Sequence, residues 1–167
     1  MLRRFARLRV PIGFACAAVA LALVRPSWSS WWIGLAVAAS GELLRVWAAG
    51  HIEKGREITR SGPYRFVRHP LYAGSTLIGA GFALASRSPV VWVLTVLYLG
   101  VTLTAAIRLE ERTLDARFSG EYSAYRAGLA APIARPFSWA RVTANREYRA
   151  VTGVLAAFVW LFVRIKG

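Results

Sequence analysis

The sequence predicts an all-α protein: a polytopic membrane helix bundle of about five transmembrane helices, with a further amphipathic helix outside the lipid. Three observations carry that expectation. Hydrophobic residues make up 56% of 167 residues and mean hydropathy is +0.43, too apolar for an ordinary soluble domain of this length. The apolar residues gather in long runs separated by polar connections. Lysine and arginine, which give a net charge of +14, flank those runs instead of forming one soluble face. A nucleic-acid reader needs an exposed basic surface, so this distribution argues against nucleic acid and for anionic lipid.

Taken in order, the apolar runs are Val10–Val24, Trp31–Gly50, Leu71–Ser86, Pro89–Ile107 and Ala150–Val163. A spanning helix needs about 20 residues, so the second and fourth are full length and the others draw on their flanks. Before the first run come Arg3, Arg4, Arg7 and Arg9, and the run leaves through Arg25-Pro26-Ser27-Trp28. That exit is a poor cleavage site, so the expectation is a retained signal-anchor helix. Cys16 lies inside this run as the chain's single cysteine. With only His51 and His69 beside it, neither a disulfide nor a metal centre of cysteine and histidine can be built. Gly74, Gly79 and Gly81 let the third helix approach its neighbours closely, as suits the centre of a bundle.

The cations orient the bundle. Residues 1–9 hold four, residues 51–70 hold five and residues 108–149 hold eight; Arg25, Arg87, Arg164 and Lys166 lie on the opposite side, with Arg45 inside a run. Seventeen against four places the N-terminus and both polar connections in the cytoplasm. In the second connection Leu109, Leu114, Phe118, Tyr122 and Tyr125 recur at helical spacing, predicting an amphipathic helix that continues out of the fourth run. Pro132 and Pro136 end regular structure before the final run.

Three clusters have chemical potential. Gly62-Pro63-Tyr64 forces a turn, and Arg68-His69-Pro70 holds His69 out of helical geometry where the third helix starts. The free amides there, with Arg68 and His69, suit a carboxylate or phosphate; equally, Tyr64 and Tyr72 suit an interfacial aromatic belt. Glu110 and Glu111 point about 100° apart on a helix, so one can face the bundle interior while its neighbour meets solvent. Glu42 and Arg45, three residues apart within an apolar run, suit either a structural ion pair or a hold on substrate.

Gly62-Pro63-Tyr64, Arg68-His69-Pro70-Leu71-Tyr72, Glu110-Glu111, Leu114, Phe118, Tyr122 and Tyr125 together resemble the isoprenylcysteine carboxyl methyltransferase and phospholipid methyltransferase superfamily. The likeness covers roughly residues 40–136 and includes Gly41, Glu42, Arg45, Trp47 and Ala48. It implies an integral membrane enzyme that uses S-adenosylmethionine, bound at the cytoplasmic side by Tyr64, Arg68, His69, Tyr72, Glu110, Glu111, Tyr122 and Tyr125. It further implies a lipophilic small-molecule or lipid-anchored acceptor that enters laterally between helices. The chain departs from the prenylcysteine enzymes at Ala106, where those carry an arginine, and reads Phe118-Ser119-Gly120-Glu121-Tyr122 where relatives commonly read Phe-Gly-Glu-Glu-Tyr.

Under that resemblance, Arg108 or Arg45 would hold a carboxylate acceptor, and Glu110 would take the proton from an amine or hydroxyl one. Glu42 and Arg45 are then candidates for substrate binding, and Arg108 and Glu110 for catalysis. Two other readings remain: an NADPH-dependent membrane reductase of the sterol type, which shares an Arg-His-Pro element, and a non-enzymatic protein whose basic loops bind anionic lipid. The composition fits a bacterial inner membrane.

Overall fold

The computed structural model describes residue 13 and residues 15–53, 55–118 and 120–167. Arg3, Arg4, Arg7, Arg9 and the start of the first apolar run lie outside the described residues, as do Lys54 and Ser119. Among the described residues the protein is helical, with no strand. Helix α1 covers residues 15–23, followed by α2 (Trp28–Ala49), a 3-10 turn (Gly62–Arg65), α3 (Pro70–Ser86), α4 (Pro89–Arg117), α5 (Glu121–Arg126), α6 (Trp139–Ala144) and α7 (Tyr148–Lys166).

Local chemistry sets the helix ends. Ser27 and Ser30 form a reciprocal capping box at the start of α2. Pro70 and Pro89 sit in the first turns of α3 and α4, where a missing amide hydrogen costs nothing. Arg87 closes α3 in the left-handed conformation (φ 50°), and Ser88 caps α4 directly afterwards.

The centre of the bundle is the antiparallel pair α2 and α3, joined by glycine. A Cβ on Gly41 would lie 2.6 Å from the Gly74 carbonyl oxygen, and one on Gly81 would lie 2.5 Å from that of Gly34. Backbones in contact over two turns gain dispersion and lose no side-chain entropy, which matters where lipid removes the hydrophobic drive between helices. Gly79 faces the other way, against Leu99 and Thr95 of α4. A small core of Val24, Ala38, Ala85, Phe158 and Leu161 joins α7 to this pair, and the Trp31 indole donates to the Phe158 carbonyl at 3.0 Å.

Three helices among the described residues are long and apolar enough to cross a membrane: α2, α4 and α7. The final run, Ala150–Val163, gains its length from flanking residues on both sides. Helix α3 has 17 residues, and the described part of the first run is shorter. With 29 residues, α4 is about 43 Å long against a hydrocarbon core of about 30 Å, so its last turns stand beyond the lipid. Val93, Val96, Leu97 and Val101 on this helix are more than half exposed, as a lipid-facing surface would be.

The amphipathic helix expected to continue from α4 is instead broken. The chain leaves helical geometry at Phe118 (φ −125°, ψ 56°), turns through Gly120 at φ 81°, and restarts as α5. A positive φ at Gly120 is open to glycine at little cost and redirects the chain back over the bundle. There residues 50–53, 55–69, 118 and 120–147 form one polar cap. Tyr125 donates its hydroxyl to the Tyr64 carbonyl at 2.8 Å, Ile133 N–H donates to Arg60, and Ser138 N–H to Gly50. Arg141 donates to the carbonyl of Gly50, and Asn145 to those of Ala49 and Ile52, so the end of α2 and the turn after it gain donors that the helix itself does not supply.

Candidate active site

A cavity of about 800 Å³ opens within this cap, between the loop before α3, the protruding end of α4 and the start of α7. His69 is placed by the proline that follows it: it holds φ −129° and ψ 63° as the residue before α3. Its imidazole reaches both acids of α4. Nε2 lies 3.3 Å from Glu111 Oε1, and Nδ1 lies 3.9 Å from Glu110 Oε2.

The two glutamates therefore divide their work. Glu111 accepts from the Tyr122 hydroxyl at 3.2 Å and lies 3.6 Å from Arg68 Nη1, so one carboxylate latches α4, α5 and the His-Pro loop together. It is not part of the cavity wall, whereas Glu110 is, 3.9 Å from His69 Nδ1. This is the division expected from adjacent acids on one helix, except that the second is tied down instead of meeting solvent.

Tyr64, Tyr72, Tyr122 and Tyr125 all line the cavity. Tyr64 is 8% exposed, so it does not serve as an interfacial belt residue, and its hydroxyl has no hydrogen-bond partner among the described residues. Burial, and then the Glu110 carboxylate, hold its phenol well above the ordinary tyrosine range, so it stays a hydrogen donor. Burial and the Glu111 carboxylate push the Tyr122 phenol up to about 12. Burial raises Tyr125 too, against the opposing effect of Arg68.

The expected pair of Glu42 with Arg45 is not what the fold makes. Arg45 Nε instead meets Glu147 Oε1 at 2.6 Å, while Nη1 donates to Ser75 Oγ at 2.5 Å and the Leu71 carbonyl at 3.3 Å. One guanidinium thereby ties α2, α3 and the entry to α7 within the cavity wall, which Arg45, Leu71 and Glu147 all line. Both carboxylate oxygens of Glu42 are shut off from solvent without a hydrogen-bond partner among the described residues, and Glu42 is not in the wall. Arg108 is exposed on α4 and also lies outside the wall, because the helix turns it away from Glu110.

Several wall residues were not anticipated from sequence: Glu147, Asn145, Arg117, Arg146 and Arg149. One signal for Glu147 was available, since Arg45 inside an apolar run needs a carboxylate, and Glu147 shortly precedes a run that starts on the same side. A second, apolar groove of about 460 Å³ runs between α3 and α4, past Thr76, Leu99, Gly100 and Leu103. His69 and Tyr72 line both spaces, so groove and cavity meet at those two side chains.

Known proteins match this arrangement of sequence. The family described as phospholipid methyltransferase matches residues 16–121. A Bacillus subtilis (strain 168) protein, named uncharacterized protein YpbQ, is 31% identical over 98 residues, which cover 52% of this chain and 58% of that protein. The chain thus spans less than two thirds of that relative's length. No solved structure matches.

Proposed function

We propose, from the premise that this chain belongs to the phospholipid methyltransferase family, that it is an S-adenosylmethionine-dependent methyltransferase acting on a lipid-like acceptor at the cytoplasmic face of a membrane. Membership makes it a membrane methyltransferase by family. The cofactor and the acceptor are our reading, and one observation carries it: the larger cavity, whose wall carries charged and tyrosine side chains including Glu110 and Tyr64, joins the apolar groove at His69 and Tyr72. A charged donor and a lipid tail need adjoining spaces of these two kinds.

The wall fits the cofactor chemically. A buried hydroxyl without a partner asks for a polar ligand, and the aromatic faces of Tyr72, Phe118, Tyr122 and Tyr125, with the Glu110 carboxylate, suit a cation. S-adenosylmethionine, when bound, supplies a methyl group already activated by its sulfonium. The chain's own residues then have positioning work. Tyr64 would offer its hydroxyl as a donor at the cavity wall, and Glu111 fixes His69 and Tyr122. For an amine or hydroxyl acceptor, Glu110 is the wall carboxylate placed to take the released proton. The acceptor's tail lies in the groove between α3 and α4 and enters from the lipid. The seventeen-to-four cation asymmetry supports a cytoplasmic cavity, in keeping with a bacterial inner membrane.

Calorimetric titration of S-adenosylmethionine into the detergent-purified protein tests the reading, with His69→Ala and Glu110→Ala alongside. The expected result is saturable binding to the wild type and loss in both variants. Binding of NADPH but not of S-adenosylmethionine would overturn it in favour of a reductase.

A further inference from the structure

Trp139 opens α6 on the polar cap with 68% of its surface exposed. Two residues on, Arg141 is turned inward, 3.7 Å from Glu53 Oε1 and 2.7 Å from the Gly50 carbonyl oxygen. A short helix that buries its arginine and presents its tryptophan is inverted for a surface facing water. The one hydroxyl of this helix adds nothing polar to the outside, because Thr143 Oγ1 donates back to the Ala140 carbonyl at 2.9 Å.

The ends of two spans fix where this segment lies. The Gly50 carbonyl, just past the end of α2, accepts from Ser138 N–H at 3.1 Å as well as from Arg141. The Phe137 ring lies so close over Gly50 that a Cβ there would overlap it. At its other end the segment runs into α7 at the exposed Tyr148. Both α2 and α7 are long and apolar enough to cross a membrane, and Asn145 Nδ2, which donates to the Ala49 carbonyl at 3.0 Å, holds their ends on one side of it. With 22 residues α2 is about 33 Å long, close to the hydrocarbon thickness of about 30 Å, so Trp47 in its last turn stands at the edge of the lipid. The exposed Trp28 marks the opposite edge, about 28 Å away along the same helix.

From Trp47 the lipid-facing side of α2 continues onto the cap through ring contacts. Leu43, one turn before Trp47, is 70% exposed. The Trp47 ring meets His51 with centroids 6.5 Å apart, His51 meets Phe137 at 6.2 Å, and Phe137 meets Trp139 edge-on at 5.0 Å. His51 is buried within this ladder, which leaves the rings of Trp47, Phe137 and Trp139 to form its outer edge. We propose that Phe137 and Trp139 anchor the cap in the boundary between headgroups and hydrocarbon, beside Trp47, so that the cap rests in the bilayer surface and does not stand clear of it. The partner is the lipid surface itself, and the inference does not depend on the methyltransferase reading. It gives the interfacial role considered for the buried Tyr64 to rings that are exposed.

Cys16 is the chain's single cysteine, so a C16S background can carry one nitroxide label at a time. The test places it with W139C, with L43C on the lipid-facing side of α2, and with R126C on the exposed side of α5, in the full chain in phosphatidylcholine nanodiscs. Collision with oxygen, which concentrates in lipid, is compared with collision with a water-soluble nickel chelate. Oxygen should prevail at sites 43 and 139, and nickel at site 126. Nickel prevailing at site 139 would overturn the anchor, and a label shielded from both reagents with dipolar broadening would replace lipid by a second copy of the chain. Adding G50A, whose methyl displaces the Phe137 ring, should move site 139 toward the value at site 126 and leave site 43 unchanged, the latter showing an intact bundle; no shift at site 139 would overturn the clamp on Gly50. Because labelling removes the ring itself, the native residue is checked by the wild-type minus W139F fluorescence in lipids brominated near the headgroup. That difference should be quenched, and an unquenched difference would overturn the proposal.

Discussion

Replacing Glu147 by alanine isolates a contact on which the cavity wall depends. Its carboxylate is 5% exposed and sits 2.6 Å from Arg45 Nε, itself 19% exposed, so the pair is only partly screened by solvent. At a charge separation of about 4 Å and an effective dielectric of about 20, the attraction is about 4 kcal/mol. Removing one partner of a buried pair costs about 3–5 kcal/mol, because the remaining charge is left without compensation. Arg45 keeps Ser75 Oγ and the Leu71 carbonyl and is not fully buried, which places E147A near the lower end, about 3 kcal/mol. For a chain of this size that lowers the melting temperature by roughly 6–12 °C. The assay is thermal unfolding in detergent of E147A, R45A and the double variant, with E42Q as the comparison. Glu42 has no hydrogen-bond partner to lose among the described residues, so E42Q is expected within about 0.5 kcal/mol of wild type or more stable. A melting temperature for E147A within about 1 °C of wild type, or strictly additive losses in R45A/E147A, would refute the reasoning.

Two further outcomes are expected. Arg146 occupies a left-handed turn at φ 57°, with its N–H donating to Thr143 and that of Glu147 to Val142, a helix end that glycine fits better. Arg146→Gly should therefore stabilise the fold by up to about 1 kcal/mol in thermal unfolding. His51 is buried against Ser61 Oγ at 3.2 Å, and burial, then Arg141 and Arg135, hold its imidazole below the ordinary histidine range. The unfolded chain thus takes up a proton at this site before the folded protein does, so the His51 contribution is complete above about pH 6.5 and is lost as pH falls below it. Melting temperatures at pH 7.5 and 5.5 should differ less in His51→Gln than in wild type; an unchanged difference would exclude His51 as the source.

What the sequence determined by itself was local or compositional. Runs of apolar residues set the helices, prolines and serines set where several of them begin, and the distribution of cations carries the expected direction of crossing. Each rests on neighbours within a few residues or on transfer to lipid, and neither needs a partner from elsewhere in the chain. The motif residues His69, Glu110 and Tyr64 were visible for the same reason, because a proline, an adjacent pair of acids and a Gly-Pro turn mark them locally. Tertiary packing decided which charges meet. Gly41 against Gly74 brings α2 and α3 into backbone contact, and that register presents Arg45 to Glu147, 102 residues away, and leaves Glu42 without a hydrogen-bond partner among the described residues. The same packing gave Glu111 to His69 and Tyr122, left Glu110 to the cavity, and turned Arg108 out while bringing in Arg117, Arg146 and Arg149. Helical spacing assigns a side chain to a face, but it does not say which face another helix will cover. Long-range pairing of charges follows from that covering, so it became readable only in the folded bundle.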